Sequence, residues 1–458
     1  MAKYQIYQDK AETHNIWIKS IPREWKIVPL KYMCSGFVKD GPHETPKFID
    51  EGIPFLSVDG IQNNKLVFEG CRYISIEDDV RFSLKCKPRK GNILLGKAAS
   101  VGKVAFVEND NDFNVWSPLA VINPKDIRLG RFIFYCLQSY ELQLQCDVFS
   151  NSNTQKNLGM TTIDNLSFPY PSINEAEKIS DFLDQETAKI DSLIAKQEKL
   201  IELLKEKRQA VISHAVTKGL NPNVLMKDSG VEWLGEVPEH WEIIKFDYVI
   251  DTIGDIDHHM PSSVDVGVPY VMTGDLRDFV SDIDFENCKN VSYSDYKKLS
   301  RKIKTAKDDI IFARYATIGT LSYVDIDAEF LVSYSCVTIK PNPQRVTGKY
   351  LFYYLKSQAF LQAIQQQINS NTQGNVGVDS LRNVRILLPS VFEQEQIIDV
   401  LKNDLIMMDN LIAKSRLAIQ LMQERRTALI SAAVTGKIDV RKWQKPNKNN
   451  VADRELSA

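Results

Sequence analysis

Two cations stand at the ends of matching apolar runs. Lys97 follows Gly91-Asn92-Ile93-Leu94-Leu95-Gly96, and Arg314 follows Asp308-Asp309-Ile310-Ile311-Phe312-Ala313. A turn comes next in each case, Ser100-Val101-Gly102-Lys103 or Thr317-Ile318-Gly319-Thr320. A cation so placed suits an anionic partner: either one can contact phosphate, and a guanidinium can also take a guanine edge through two hydrogen bonds. Ser100, Lys103 and Thr317 would add donors beside it. The alternative is a surface cation with no partner. A second polar run, Asn153-Thr154-Gln155, recurs as Asn371-Thr372-Gln373. Amides and hydroxyls of this kind donate to phosphate or read an adenine edge. They also cap helices, but a cap needs one such residue and here the whole run is repeated, which favours a functional or packing-critical loop.

Other chemistry is poorly supported. Gly91-x-x-x-x-Gly96-Lys97 fits the spacing of a phosphate-binding loop, yet Ala98 stands where a metal-binding Ser or Thr is needed. Its interior is strand-like, and the second copy has no glycine. His258-His259 has no Cys, Asp or Glu at metal-ligand spacing and no evident counterpart in the first half, so a solvated loop and no metal are expected. No Asn/Asp-Pro-Pro-Tyr/Phe motif, no Gly-rich methyl-donor loop and no defensible Ser/His/Asp set is found, and no catalytic residue is assigned.

These runs belong to a duplication. Asp191-Ser192-Leu193-Ile194-Ala195-Lys196 returns as Asp409-Asn410-Leu411-Ile412-Ala413-Lys414, and Ala215-Val216-Thr217 as Ala433-Val434-Thr435. The offset, roughly 218 residues, far exceeds the periods of roughly 20–50 that mark solenoids. A mixed α/β first block, with strands at Ile93–Leu95 and Val104–Val107 and a helix at Arg131–Leu137, is followed by a stretch without Gly or Pro. There Ile190, Ile194, Gln197, Ile201, Leu204 and Val211 fall on heptad spacing. A second α/β block and a second helix follow, the latter with Met408, Ile412, Ile419, Met422 and Leu429 on its seam. Arg208 and Arg426 fall on the seams too, where they must snorkel or pair with a carboxylate of the opposing helix. The expected segments are 1–173 and 220–391 as globular domains, 174–219 and 392–436 as long helices, and 437–458 as a polar tail. The region from Ile61 to Lys90 matches poorly with that from Ser281 to Lys304. Two different specificities explain this, and so does drift of surface loops after duplication.

The 458 residues carry 57 Lys+Arg against 59 Asp+Glu, a net charge of −2, which excludes a uniformly basic nucleic-acid binder but not a local basic site. Seven cysteines, an odd number without framework spacing, point away from a disulfide scaffold and towards a reducing, cytoplasmic setting. No apolar run is long enough to span a bilayer and no signal peptide is expected, so no membrane partner is expected either.

Taken in order and in duplicate, the motifs resemble those of the specificity subunit of Type I restriction-modification systems. The likeness rests on Pro22/Trp25 and Pro238/Trp241, the Gly91–Leu95 strand with its Lys97…Gly102 turn, both Thr-Gln pairs, and helices opening Glu175-Ala176-Glu177 and Glu393-Gln394-Glu395. The resemblance implies two α/β (α+β) target recognition domains joined by two long antiparallel coiled-coil helices with pseudo-twofold symmetry. It implies no catalytic activity, with each domain reading one half of a split, asymmetric site in double-stranded DNA. Two methylation subunits and restriction subunits would dock, with the helix residues Ile190, Ile194, Ile201, Leu204, Met408, Ile412, Ile419 and Met422 in the contact region. The chain itself would hold no cofactor; methyl donor, ATP and Mg would belong to the partners. Two other readings remain at this point: a self-sufficient methyltransferase-nuclease, which the missing motifs oppose, and a coiled-coil adaptor that ignores DNA, which the two α/β domains oppose.

Overall fold

In a computed structural model, which describes residues 4–150, 156–366 and 374–445, the two halves repeat one plan. The runs Ile93–Gly96 and Ile310–Ala313 are buried along their whole length. Apolar strands of this kind, covered on both faces, need neighbours on each edge. The first lies between Val104–Phe106 and Leu119–Ile122, with Lys39–Asp40 beyond, all antiparallel. The second lies likewise between Leu321–Tyr323 and Cys336–Pro341, with Ile250–Gly254 beyond. A three-stranded sheet accompanies each: Asn114–Val115, Ile53–Leu56 and Arg72–Ile74 in one half, Leu331–Val332, Val268–Val271 and Lys289–Val291 in the other. The helix expected at Arg131–Leu137 runs over Ile127–Gln138 and buries Phe132, Phe134 and Tyr135. The halves differ where the sequences do. A hairpin, Ile61–Gln62 with Lys65–Leu66, turns through left-handed Asn63 and Asn64 in the first half, whereas a short 3-10 turn, Val280–Asp282, stands in the second.

The two long helices span Ile173–Lys218 and Val391–Val434, 46 and 44 residues, or about 69 and 66 Å at 1.5 Å per residue. Both begin alike. The hydroxyls of Ser172 and Ser390 accept from the backbone N–H of Glu175 and Glu393, each at 3.3 Å. Those glutamates, instead of closing the box, accept at 3.0 Å from the indole N–H of Trp25 and Trp241. One bond thus explains why a Pro-x-x-Trp motif and a Glu-x-Glu motif recur together. Both helices end on a left-handed glycine, Gly219 (φ +77°) and Gly436 (φ +67°).

Residues Met1–Gln197 with Leu417–Ala458 form one compact unit, and Glu198–Arg416 the other. The boundary cuts both helices, so each unit holds part of each. In the first unit Ala176, Ile179, Phe182 and Ile190 share a core with Leu429, Ile430 and Val434. In the second, Ile212, Ala215 and Val216 share one with Ile397, Leu401 and Leu405. The helical segments run antiparallel within each unit. Arg426 pairs with Asp191 at 2.9 Å in one, and Arg208 with Asp409 at 3.5 Å in the other. These are repeat-related residues with the helices exchanged, and Arg208 also hydrogen bonds to Asp278 at 3.0 Å, so both seam arginines face carboxylates.

The segment preceding Trp25 meets the end of the second helix, as its counterpart around Trp233 meets the end of the first. Asp439 N–H donates to the Gln5 carbonyl at 2.8 Å, and a Cβ on Gly436 would fall 2.2 Å from Pro22 Cδ. Ile438 and Val440, at the start of the segment read as a polar tail, are buried in this core; 446–458 lies outside the described residues. Gly436→Ala should therefore cost about 2–3 kcal/mol, combining left-handed strain with overlap, whereas Gly235→Ala (φ +58°, open space around it) should cost only about 1–2. Urea unfolding of both variants measures the difference.

Candidate nucleic-acid interface

The sheet order brings Lys97 and Arg314 to the same place in each half, one residue past the central strand. Each is fixed by its own backbone N–H, which donates to Pro118 at 2.9 Å or Ser335 at 3.1 Å. Neither is an open surface cation. Their side chains are 9% and 8% exposed, so a free contact with DNA from an uncovered surface is not the geometry found. Each instead faces an aspartate two strands away. Lys97 Nζ lies 3.2 Å from Asp40, at the end of Lys39–Asp40, and Arg314 pairs with Asp255, which follows Ile250–Gly254. Burying one such charge alone would be expensive, and the partner carboxylate makes the site tenable.

Two more residues complete each cluster. His43 Nε2 is 3.1 Å from Asp40 and His258 Nε2 is 3.4 Å from Asp255. Lys85 Nζ reaches Asp40 at 2.5 Å and Lys302 Nζ reaches Asp255 at 3.1 Å. His258 therefore does have a first-half counterpart, contrary to the expectation from sequence. Asp40-x-x-His43 and Asp255-x-x-His258 lie at the same distance before Gly52-Ile53-Pro54 and Gly267-Val268-Pro269, and that spacing is the signal that was overlooked. Lys85 and Lys302 were harder to find, because they lie in the stretch that matches poorly. Among the described residues no group of three His, Cys, Asp or Glu is placed to hold a metal.

The electrostatics follow. Burial pulls Asp40 and Asp255 towards the neutral acid, but Lys85 with Lys97, and Lys302 with Arg314, outweigh it and hold both carboxyls below the usual range. A carboxyl with a depressed folded value stabilises the fold above its unfolded value, near pH 4, and loses that contribution as pH falls through the depressed value. Denaturant midpoints should therefore drop between pH 5 and pH 3, and the drop should be smaller in Asp40→Asn.

Beside each cluster the chain is strained in the same way. Ala99 (φ +63°) and Ala316 (φ +57°) are exposed, left-handed and non-glycine. Ser100 is half-buried, and Lys103 and Thr317 are exposed. The segments downstream of the polar runs close on the site: Ala98 bridges Asn157 and Tyr315 bridges Asn375. Asn153, Thr154, Gln155, Asn371, Thr372 and Gln373 themselves lie outside the described residues.

The seam residues of the helices are occupied within the chain. Leu204, Met408 and Ile412 cluster with Ile201 and Val211. Ile190 is buried, with Ile194 and Met422 packed on the same core, and Ile419 is half-buried. What the helices leave exposed is a different set. Leu193 and its repeat Leu411 are 51% and 41% exposed, Leu203 and its repeat Leu421 49% and 55%.

Comparison with known proteins agrees with this plan. The model of the "Type I restriction modification DNA specificity domain" matches residues 22–203 and 253–417. The chain is 22% identical to the EcoBI specificity subunit of Escherichia coli, over 88% of this chain and 90% of that one. It is 24% identical to the MjaVIII specificity subunit of Methanocaldococcus jannaschii, over 95% and 98%. A solved structure from work on assembly and conformational transition of the type I restriction-modification system superposes with a TM-score of 0.65 at 14% identity, covering 91% of this chain and 99% of that chain, and has the same fold. No helix among the described residues is long and apolar enough to cross a membrane. With the family model matched across both halves, the chain belongs to the Type I restriction-modification DNA specificity subunits.

Proposed function

We propose that this chain recognises a split, asymmetric site in double-stranded DNA, one half per α/β domain, and carries no catalytic activity of its own. The observation that supports this best is the duplicated Asp–His–Lys–cation cluster set among loops that differ between halves. Similar scaffolds with different loops suit two half-sites of different sequence. The long helices act as the ruler between them. Two methylation subunits dock on the helices and domains, restriction subunits join them, and methyl donor, ATP and Mg reside on those partners, all in the cytoplasm.

The exposed repeat-related leucines support two docking places. Large apolar side chains left bare in duplicate on the long helices are what a partner would cover. Leu193→Glu or Leu411→Glu should each weaken capture of a methylation subunit by at least tenfold, and the pair together should abolish it; size-exclusion chromatography with light scattering reads the stoichiometry. The DNA reading is tested by selecting bound duplexes from a randomised pool with the methylation complex. Enrichment of two short fixed sequences around an unread spacer is the expected result. An unstructured pool would end the proposal.

A further inference from the structure

The two halves share one exposed polar arrangement while their loops differ. The two half-sites of a duplex share one thing while their bases differ, namely the phosphate backbone. We infer that the rims of the repeated clusters, His43 with Lys85 and His258 with Lys302, are phosphate anchors, and that base reading is left to the divergent loops. This rests on the proposed DNA recognition.

The geometry favours phosphate for three reasons. The rim is accessible while its base is not: His43 and Lys85 are 69% and 45% exposed and His258 and Lys302 56% and 52%, above cations that are under 10% exposed. The rim is held: Lys85 donates to both Asp40 and the Gly41 carbonyl, at 2.5 and 2.7 Å, and His258 lies tilted against Tyr334 with ring centroids 5.3 Å apart. In the first half the charge is in surplus: Asp40 alone faces Lys85 and Lys97 as well as His43, on a chain that is negative overall. Asp40 and Asp255 are then positioning residues, orienting the rim nitrogens without touching DNA. The halves are not equal. Asp257, 71% exposed, lies 3.8 Å from Lys302, whereas Pro42 occupies that position in the first half, so the second anchor is the weaker.

The test uses the full chain in its methylation complex and the duplex selected above. Each phosphate contact contributes about 0.9 to the slope of log affinity against log salt. Lys85→Gln should make the slope shallower by about 0.9, so that between 50 and 200 mM salt it loses roughly threefold to fourfold less affinity than the parent. Lys302→Gln should do so less strongly, and the double variant most. Cognate duplex and single-base variants should weaken by the same factor. Lys85→Arg should restore the parental slope, which separates a lost contact from a misfolded domain. An unchanged slope in the double variant overturns the anchor and leaves DNA recognition standing. A changed base preference overturns it too, by making the rim a reader. A parent complex that binds no duplex overturns both readings.

Discussion

Removing one heptad from each long helix, seven residues at repeat-related positions, should shorten the unread spacer of the DNA site by about 3 base pairs and leave both half-sites unchanged. Seven residues at 1.5 Å contribute about 10 Å, and a base pair rises about 3.4 Å. The cut must fall in both helices, because each unit contains parts of both and their seams are in register: Arg208 with Asp409 in one, Arg426 with Asp191 in the other. A deletion in one helix alone would shift Leu204 against Met408 and Ile412 and should destabilise the chain instead. Site selection with the doubly shortened chain reads the spacer. An unchanged spacer would falsify the ruler.

Asp255→Ala should destabilise the second unit by about 3–5 kcal/mol, because it strands the Arg314 guanidinium in the fold with its counter-charge removed. Arg314 also rests on Tyr315, with Cζ 4.8 Å from the ring centroid, and is not free to swing into solvent. Asp40→Ala should cost less, about 2 kcal/mol, since the flexible Lys97 side chain can carry its ammonium outward. The double change Asp255→Leu with Arg314→Met should recover most of the lost stability, as apolar replacements of buried ion pairs often do. Urea midpoints of the three variants against the parent measure these differences. An Asp255→Ala protein as stable as its parent would mean that Arg314 finds water or another partner. For the same reason Arg314→Ala is a poor probe of base reading: with the guanidinium 8% exposed, its first effect is on the fold.

Much of the scaffold was legible because it is periodic or repeated. The loss of Gly and Pro, with apolar residues on heptad spacing, made both long helices recognisable, and the run Ile93-Leu94-Leu95 was recognisable as a strand and not a phosphate loop. A charge on an apolar seam left Arg208 and Arg426 either to snorkel or to meet a carboxylate of the opposing helix, and each lies beside such a carboxylate. The site was less legible, for a physical reason. Lys97 and Arg314 were visible as matched cations, but their burial depends on Asp40 and Asp255, which come from a strand far away in sequence. An ion pair across a sheet leaves no local pattern. His43 stood alone for the same reason, and only its spacing from a matched strand betrays it. The linear chain sets each helix apart as a segment of its own, yet each helix serves two cores.

That sharing bears on how the protein comes to be folded. The unit Glu198–Arg416 is made of consecutive residues, so everything it needs has been synthesised once Arg416 has. The other unit joins residues up to Gln197 with residues from Leu417 onward, and its core waits for Leu429, Ile430, Val434, Ile438 and Val440. The half encoded first is therefore completed last. Until then Ile179, Phe182 and Leu183 lack part of their covering, and the nascent chain exposes apolar surface while the later half is already closed. Closing a loop that long adds little entropy cost beyond that of a short one, so the delay is set by synthesis. Chaperone dependence should accordingly concentrate in the first α/β domain.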